Sequence, residues 1–129
     1  MNLLLDTHAL IWAVVTPSHL TEATRAAVAS PDNQVFVSTV SVWEIAIKRA
    51  LGRLVFPLEQ FDDIAARTGF EILPILPAHA IVAGALPRHH ADPFDRMLIA
   101  QTLVEDFLLV SNDAMIARYD VPLFAAGGP

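Results

Sequence analysis

Four acidic residues carry the chemistry this sequence could perform: Asp6 in LLLDTH, Glu44 in SVWEIAIK, Asp95 in HHADPFDRMLIAQ and Asp113 in LLVSNDAMIA. Each has an ordinary structural reading beside a functional one. Asp6 ends an apolar run and suits the N-cap of a following helix, a position Asp favours. Glu44 has Lys48 four residues on, which fits an i,i+4 ion pair worth about 0.3–0.5 kcal/mol when exposed. Its neighbours at i−4, i+3 and i+7 are nevertheless Val40, Ile47 and Leu51, and a carboxylate on an apolar stripe is costly unless something compensates it. Asp92-Pro93-Phe94-Asp95 reads as a helix start, with Asp92 at N-cap, Pro93 at N1 and Asp95 at N3. That reading gives His89, His90 and Arg96 no role. The helix behind it, Pro93 to Phe107, is apolar enough to carry its first turn into the interior or a cleft. Asp113 follows Ser111 and Asn112 in common turn chemistry.

The elements that must position these acids follow from periodicity. NLLLD (Asn2 to Asp6) is a short apolar strand, QVFVS (Gln34 to Ser38) a β-branched one, FEILPI a third with Pro74 near its end, and LLVS (Leu108 to Ser111) a fourth. VPLF suits a short edge strand. Helical patterns begin at THALIWAV and run over Leu20 to Ser30 with Thr21 as N-cap. Further helices run over Val40 to Leu51 with Gly52 after it, Leu58 to Thr68 closed by Gly69, Pro77 to Gly84 and Pro93 to Phe107, with a helical turn over Asn112 to Tyr119. Strands alternating with helices indicate an α/β fold, a mostly parallel sheet with helices on both faces. Ligands of such sheets bind outside the carboxyl ends of the strands. Asp6 and Asp113 follow strands, Glu44 lies one turn into the helix after the second strand, and Asp95 opens an apolar helix, so all four can converge on one edge. Gathered carboxylates repel and raise one another's pKa. A divalent cation relieves this, and all-oxygen donors select Mg²⁺ or Mn²⁺. Phosphodiester hydrolysis is chemistry that such pockets perform.

The remaining composition bounds the answer. A chain of 129 residues reads as one domain, 1–129, with AAGGP (Ala125 to Pro129) as a loose tail. Hydrophobic residues make up 54% and mean hydropathy is +0.49, which calls for a sheet buried on both faces and for apolar surface covered by an oligomer or partner. No run approaches the roughly 18 apolar residues of a membrane span, and the N-terminus lacks the basic region of a signal peptide. With no cysteine, disulfides and thiolate metal sites are excluded, and a cytoplasmic location is expected. The net charge of −6 excludes a general nucleic-acid coat protein but not an enzyme that holds cations with carboxylates. Trp12 and Trp43 lie in apolar helical patterns and are expected as core or dimer contacts, not base-stacking platforms.

Taken in order, LLLDTHALIWA, VSTVSVWEIAIKRALGRL, LPRHHADPFDRMLIAQ and SNDAMIARYDV resemble the PIN-domain nucleases, and among them the VapC-type ribonuclease toxins of bacterial toxin–antitoxin pairs. The resemblance spans essentially the whole chain; Thr102 stands where the family more often has alanine. It implies a three-layer α/β/α sandwich, usually dimeric. It further implies a Mg²⁺-dependent endoribonuclease, with Mn²⁺ as substitute, inhibited by a cognate antitoxin, here of the Phd type. The family's acidic quartet falls on Asp6, Glu44, Asp95 and Asp113. Asp6 and Asp95 would share a metal, with Glu44 binding it directly or through water. Thr7 would orient Asp6 or touch phosphate, and Asp92 would cap its helix and support the site from outside. Arg88, His89, His90 and Arg96 surround the site as RNA contacts, the histidines having the alternative of satisfying backbone carbonyls. Dimer and antitoxin surfaces are expected around Ile45 to Val55 and the helix from Leu58. Two other readings remain. One is a non-catalytic metal-binding interaction module. The other is a phosphatase with Asp6 as nucleophile, disfavoured because His8 stands where such enzymes carry a second acid.

Overall fold

In a computed structural model of the protein, residues 1–125 are described. The apolar first strand, β1 (Asn2–Leu5), lies in the middle of a five-stranded sheet, where Leu3, Leu4 and Leu5 are all buried. It pairs in parallel with β2 (Gln34–Ser38) on one side and β4 (Leu108–Ser111) on the other. β3 (Glu71–Leu73) and β5 (Leu123–Ala125) form the edges, also parallel, giving the order β3-β2-β1-β4-β5. The helices are α1 (Thr7–Val15), α2 (Glu22–Ala29), α3 (Thr39–Ala50), α4 (Phe61–Thr68), α5 (Pro77–Ala85) and α6 (Pro93–Glu105).

Two separate cores make the layers. Side chains alternate across a strand, so Leu3, Leu5, Val35, Val37 and Val110 pack on one face with Leu10 of α1, Ile45 of α3 and Phe61 of α4. Leu4 and Leu109 pack on the other face with Leu98 and Ile99 of α6, joined by Ile116, Tyr119 and Val121. The fold is the expected α/β/α sandwich.

Local chemistry sets the boundaries and moves several of them. The third strand stops at Leu73 because Pro74 has no N–H to extend the ladder. The helix expected from Leu58 opens as a 3₁₀ turn, Leu58–Gln60, and becomes α-helical only at Phe61, four residues after Pro57; it ends where Gly69 takes φ 78°. Helix α6 ends at Glu105, two residues earlier than the pattern suggested, because Asp106 adopts the left-handed conformation at φ 59°. The turn expected over Asn112 to Tyr119 reduces to a 3₁₀ turn at Ile116–Arg118. Trp43 is not a core residue: it is 59% exposed and meets Phe94 edge-on at 5.5 Å. Ala125, read as the start of a loose tail, belongs to β5, and its carbonyl accepts from Thr24 Oγ1 at 2.7 Å; the rest of that segment, 126–129, lies outside the described residues. No described helix is long and apolar enough to cross a membrane.

Candidate active site

From β1 the chain winds through β2 to β3, then returns to place β4 and β5 on the opposite side of β1. The winding direction therefore reverses between β1 and β4. At such a switch point the connections leave in opposite directions and open a crevice at the carboxyl ends of the two strands. Asp6 directly follows β1 and Asp113 follows β4 by two residues. Both line a cavity of about 310 Å³ with His8, Trp12, Asn112 and Ala114.

Asp6 is buried and starts α1: its Oδ1 accepts from the Ala9 amide at 2.7 Å, while its own amide donates to the Val110 carbonyl at 3.0 Å. The capping reading is thus correct, and it fixes the carboxylate at the crevice. Burial pushes its pKa above the ordinary carboxylate value. Hydrogen bonds from Ser111 and Ala9 and the nearby His8 pull it down, and the charge of Asp113 adds to the rise. Asp113 in turn accepts from the Met115 amide at 2.8 Å through Oδ1, the expected turn role.

Asp95 enters from α6. Asp92 caps that helix by accepting from the Phe94 and Asp95 amides at 2.9 and 3.1 Å, which places Asp95 in the first turn. Its pKa is pushed up to about 6, first by burial and next by the charge of Asp92. A hydrogen bond with His90 opposes this, while Asp113 and Glu44 raise it further. Asp95 therefore senses Asp113 and Glu44 although the three belong to different elements.

Glu44 resolves the cost of a carboxylate on an apolar stripe in its own way. Ser38 caps α3 by accepting from the Val40 amide at 3.0 Å, and one turn on Glu44 is buried. Its Oε1 accepts from Thr7 Oγ1 at 2.6 Å, and its Oε2 accepts from Lys48 Nζ at 2.6 Å. Thr7 also reaches Ser41 Oγ at 3.1 Å. The hydroxyl of Thr7 thus serves Glu44, not Asp6.

Among the described residues no three His, Asp or Glu side chains already stand together as a metal-binding group. The donor chemistry nonetheless fits a hard divalent cation. Asp6 and Asp95 are raised by burial and by neighbouring carboxylates, the state that bound positive charge relieves, and every donor is oxygen. Glu44 fits less directly, since both of its oxygens already accept hydrogen bonds.

The four residues proposed around the acids have different surroundings. Arg88 is exposed. The His89 ring meets Tyr119 edge-on at 4.7 Å. His90 lies between Tyr119 and Asp95, and Arg96 spends its guanidinium on the Pro87, Ala83 and Leu86 carbonyls at 2.8, 3.0 and 3.0 Å. Sequence reasoning did not single out Ser111, although a polar residue ending an apolar strand is a usable signal. Nor did it find Tyr119, the sole tyrosine, for which no local signal exists.

The PIN domain family model matches residues 3–122, a span that takes in all four acids. Among solved structures, one similar chain is in the VapBC2 complex of Rickettsia felis bound to a promoter DNA fragment: TM-score 0.74 at 17% identity, covering 98% of this chain and 99% of that one. A chain of the Salmonella typhimurium VapBC complex bound to DNA gives 0.68 at 16%, covering 96% and 97%. A chain of a toxin–antitoxin complex from Klebsiella pneumoniae gives 0.65 at 22%, covering 95% of each. No curated protein sequence matches this one. Such identities speak for the fold, and the family model speaks for descent: with its acids at the switch point of a parallel sheet, this chain belongs to the PIN domain family.

Proposed function

We propose that this PIN domain is a nuclease, specifically a Mg²⁺-dependent endoribonuclease of the VapC type, acting in the cytoplasm as the toxin of a toxin–antitoxin pair. The observation that carries this reading is the placement of Asp6 and Asp113 on one cavity at the switch point between β1 and β4, with Asp95 in the first turn of α6, its pKa raised first by burial and then by Asp92, Asp113 and Glu44. A protein gains nothing from such an arrangement by itself. A cation and a phosphodiester make use of it.

In this reading Asp6, Asp95 and Asp113 hold Mg²⁺, for which Mn²⁺ substitutes. Glu44, oriented by Thr7 and Lys48, borders the cation and reaches it through water. When bound, the metal supplies positive charge against the phosphate and lowers the pKa of water. The chain's own residues orient this chemistry: the Ala9 amide and Ser111 hold Asp6, the Met115 amide holds Asp113, and Asp92 starts the helix that delivers Asp95. Arg88, an exposed cation next to these elements, meets the RNA backbone. The VapBC and toxin–antitoxin complexes that share the fold support a cognate antitoxin for this chain; we take it to be of the DNA-binding Phd type. Exposed Trp43, Leu51 and Val55 on and after α3 give a homodimer or antitoxin an apolar face to cover.

The test is incubation of the antitoxin-free protein with total RNA in Mg²⁺, in EDTA, and beside Asp95→Asn. Cleavage at discrete sites, lost in EDTA and in the variant, supports the reading. One observation favours a second: Glu44 already has partners for both oxygens, and no three-residue group stands preformed among the described residues. A PIN fold that only binds metal and a partner would show calorimetric Mg²⁺ binding and no RNA cleavage.

A further inference from the structure

Asp95 is held from the side by a chain of hydrogen bonds that begins at Arg96. Anchored on three carbonyls, the Arg96 guanidinium donates to Tyr119 Oη at 3.2 Å. The His90 amide donates to the same oxygen at 3.4 Å. A phenol oxygen that already receives two hydrogen bonds has its own proton left to give. The shortest contact available to that proton is His90 Nδ1 at 2.8 Å, against 3.5 Å to the His90 carbonyl. An imidazole nitrogen that accepts carries no hydrogen, so in the neutral ring the proton resides on Nε2. Nε2 faces Asp95 Oδ2 at 3.2 Å. The side chains of His90 and Asp95 are 11% and 16% exposed, so little water competes for either partner.

We propose that Arg96 and Tyr119 fix His90 in its Nε2–H form and make His90 the positioning residue for Asp95. The Nε2–H holds Oδ2 and leaves the other carboxylate oxygen for the cation. This rests on Asp95 being a cation ligand. A carboxylate among Asp92, Asp113 and Glu44 is pushed by like charge toward solvent, and something must hold it inward. A lysine or arginine in that place would also hold it, but its charge would compete with the metal. A neutral N–H orients the carboxylate without neutralising it. The cation of the chain, Arg96, stands two hydrogen bonds further back.

The test has two arms. Nitrogen NMR of the ¹⁵N-labelled, metal-free protein should show His90 with a protonated Nε2 and an accepting Nδ1, and Tyr119→Phe should lose that preference. A wild-type His90 protonated on Nδ1 alone overturns the proposal. In the second arm, Mn²⁺ affinity is read from the free-ion electron paramagnetic resonance signal. Glutamine places its amide nitrogen near the position of Nε2, whereas asparagine places it near Nδ1. His90→Asn should weaken Mn²⁺ binding by about 10- to 100-fold, and lower kcat with little change in KM, while His90→Gln recovers most of the loss. Equal effects of the two substitutions, with Mn²⁺ binding and cleavage intact in the wild type, overturn the relay alone. Wild-type protein that binds Mn²⁺ no more tightly than Asp95→Asn overturns the nuclease reading, while the NMR arm still decides the tautomer.

Discussion

Helix α6 carries a carboxylate in its first turn and another in its last, and an imidazole meets each. At the far end the fully buried His79 of α5 accepts from the Leu76 amide at 3.0 Å through Nδ1 and presents Nε2 to Glu105 at 2.8 Å. At the near end His90 accepts from Tyr119 through Nδ1 and presents Nε2 to Asp95 at 3.2 Å. The wiring is the same; the company is not. Glu105 is 30% exposed at the rim of its helix, and the His79 pair closes α5 against α6. Asp95 is disfavoured as a charge first by burial and then by repulsion from Asp92, Asp113 and Glu44, so its imidazole works against that penalty. A histidine–carboxylate pair is therefore a clasp or a positioning device according to what else the carboxylate faces.

Substitutions should separate the two ends. Asp95→Asn should remove several kcal/mol of transition-state stabilisation, about 10³-fold or more in cleavage rate, while a urea melt shows the fold intact; full activity in that variant would sink the assignment. His79→Ala should do the reverse. It leaves the Leu76 amide and a buried cavity without a partner, so stability should fall by about 2–4 kcal/mol in the same melt, with Mn²⁺ affinity unchanged.

A smaller effect concerns pH. The pKa of Asp95 is raised to about 6 from the ordinary carboxylate value of 3.8, so the folded state holds this proton more tightly than the unfolded chain does. Stability of the metal-free protein should then fall as pH rises from about 4 through 6, as the group ionises against its neighbours. Tm measured in EDTA should show this slope, Asp95→Asn should flatten it, and Mg²⁺ should raise Tm more at pH 7 than at pH 5. The smallest effect is expected for Lys48→Met. Lys48 is 36% exposed, so water can take its place, but Glu44 is only 5% exposed and keeps a poorly paired oxygen; the loss should be about 1–2 kcal/mol, detectable as a shift in the urea midpoint.

What could be read in the sequence and what could not divides along this same line. Caps are local: Asp6 before α1 and Asp92 before α6 were legible because an N-cap contacts amides two or three residues on. β1 was legible because an unbroken apolar run admits few positions other than the middle of a parallel sheet. Partners across the chain were not. Thr7 meets Glu44 at a separation of 37 residues, and Tyr119 meets His90 at 29, contacts set by how loops pack after the layers form. Arg96 illustrates the limit: its place among acids suggested phosphate, yet its planar donors match carbonyls at the end of α5 and in the loop after it. Trp43 illustrates another, since an apolar helical pattern does not say which of its faces another layer covers.

The strand order has a consequence for synthesis. β1 emerges first from the ribosome, but its partner across the crevice, β4, begins only at Leu108, which pairs with Leu3. A nascent chain that has reached residue 92 contains Asp6 and Glu44 and lacks both Asp95 and Asp113. Domains fold as units once their chain is complete, so the acids cannot meet until translation of the last strands is nearly finished. A protein of this layout therefore completes its acidic crevice only when β4 docks beside β1.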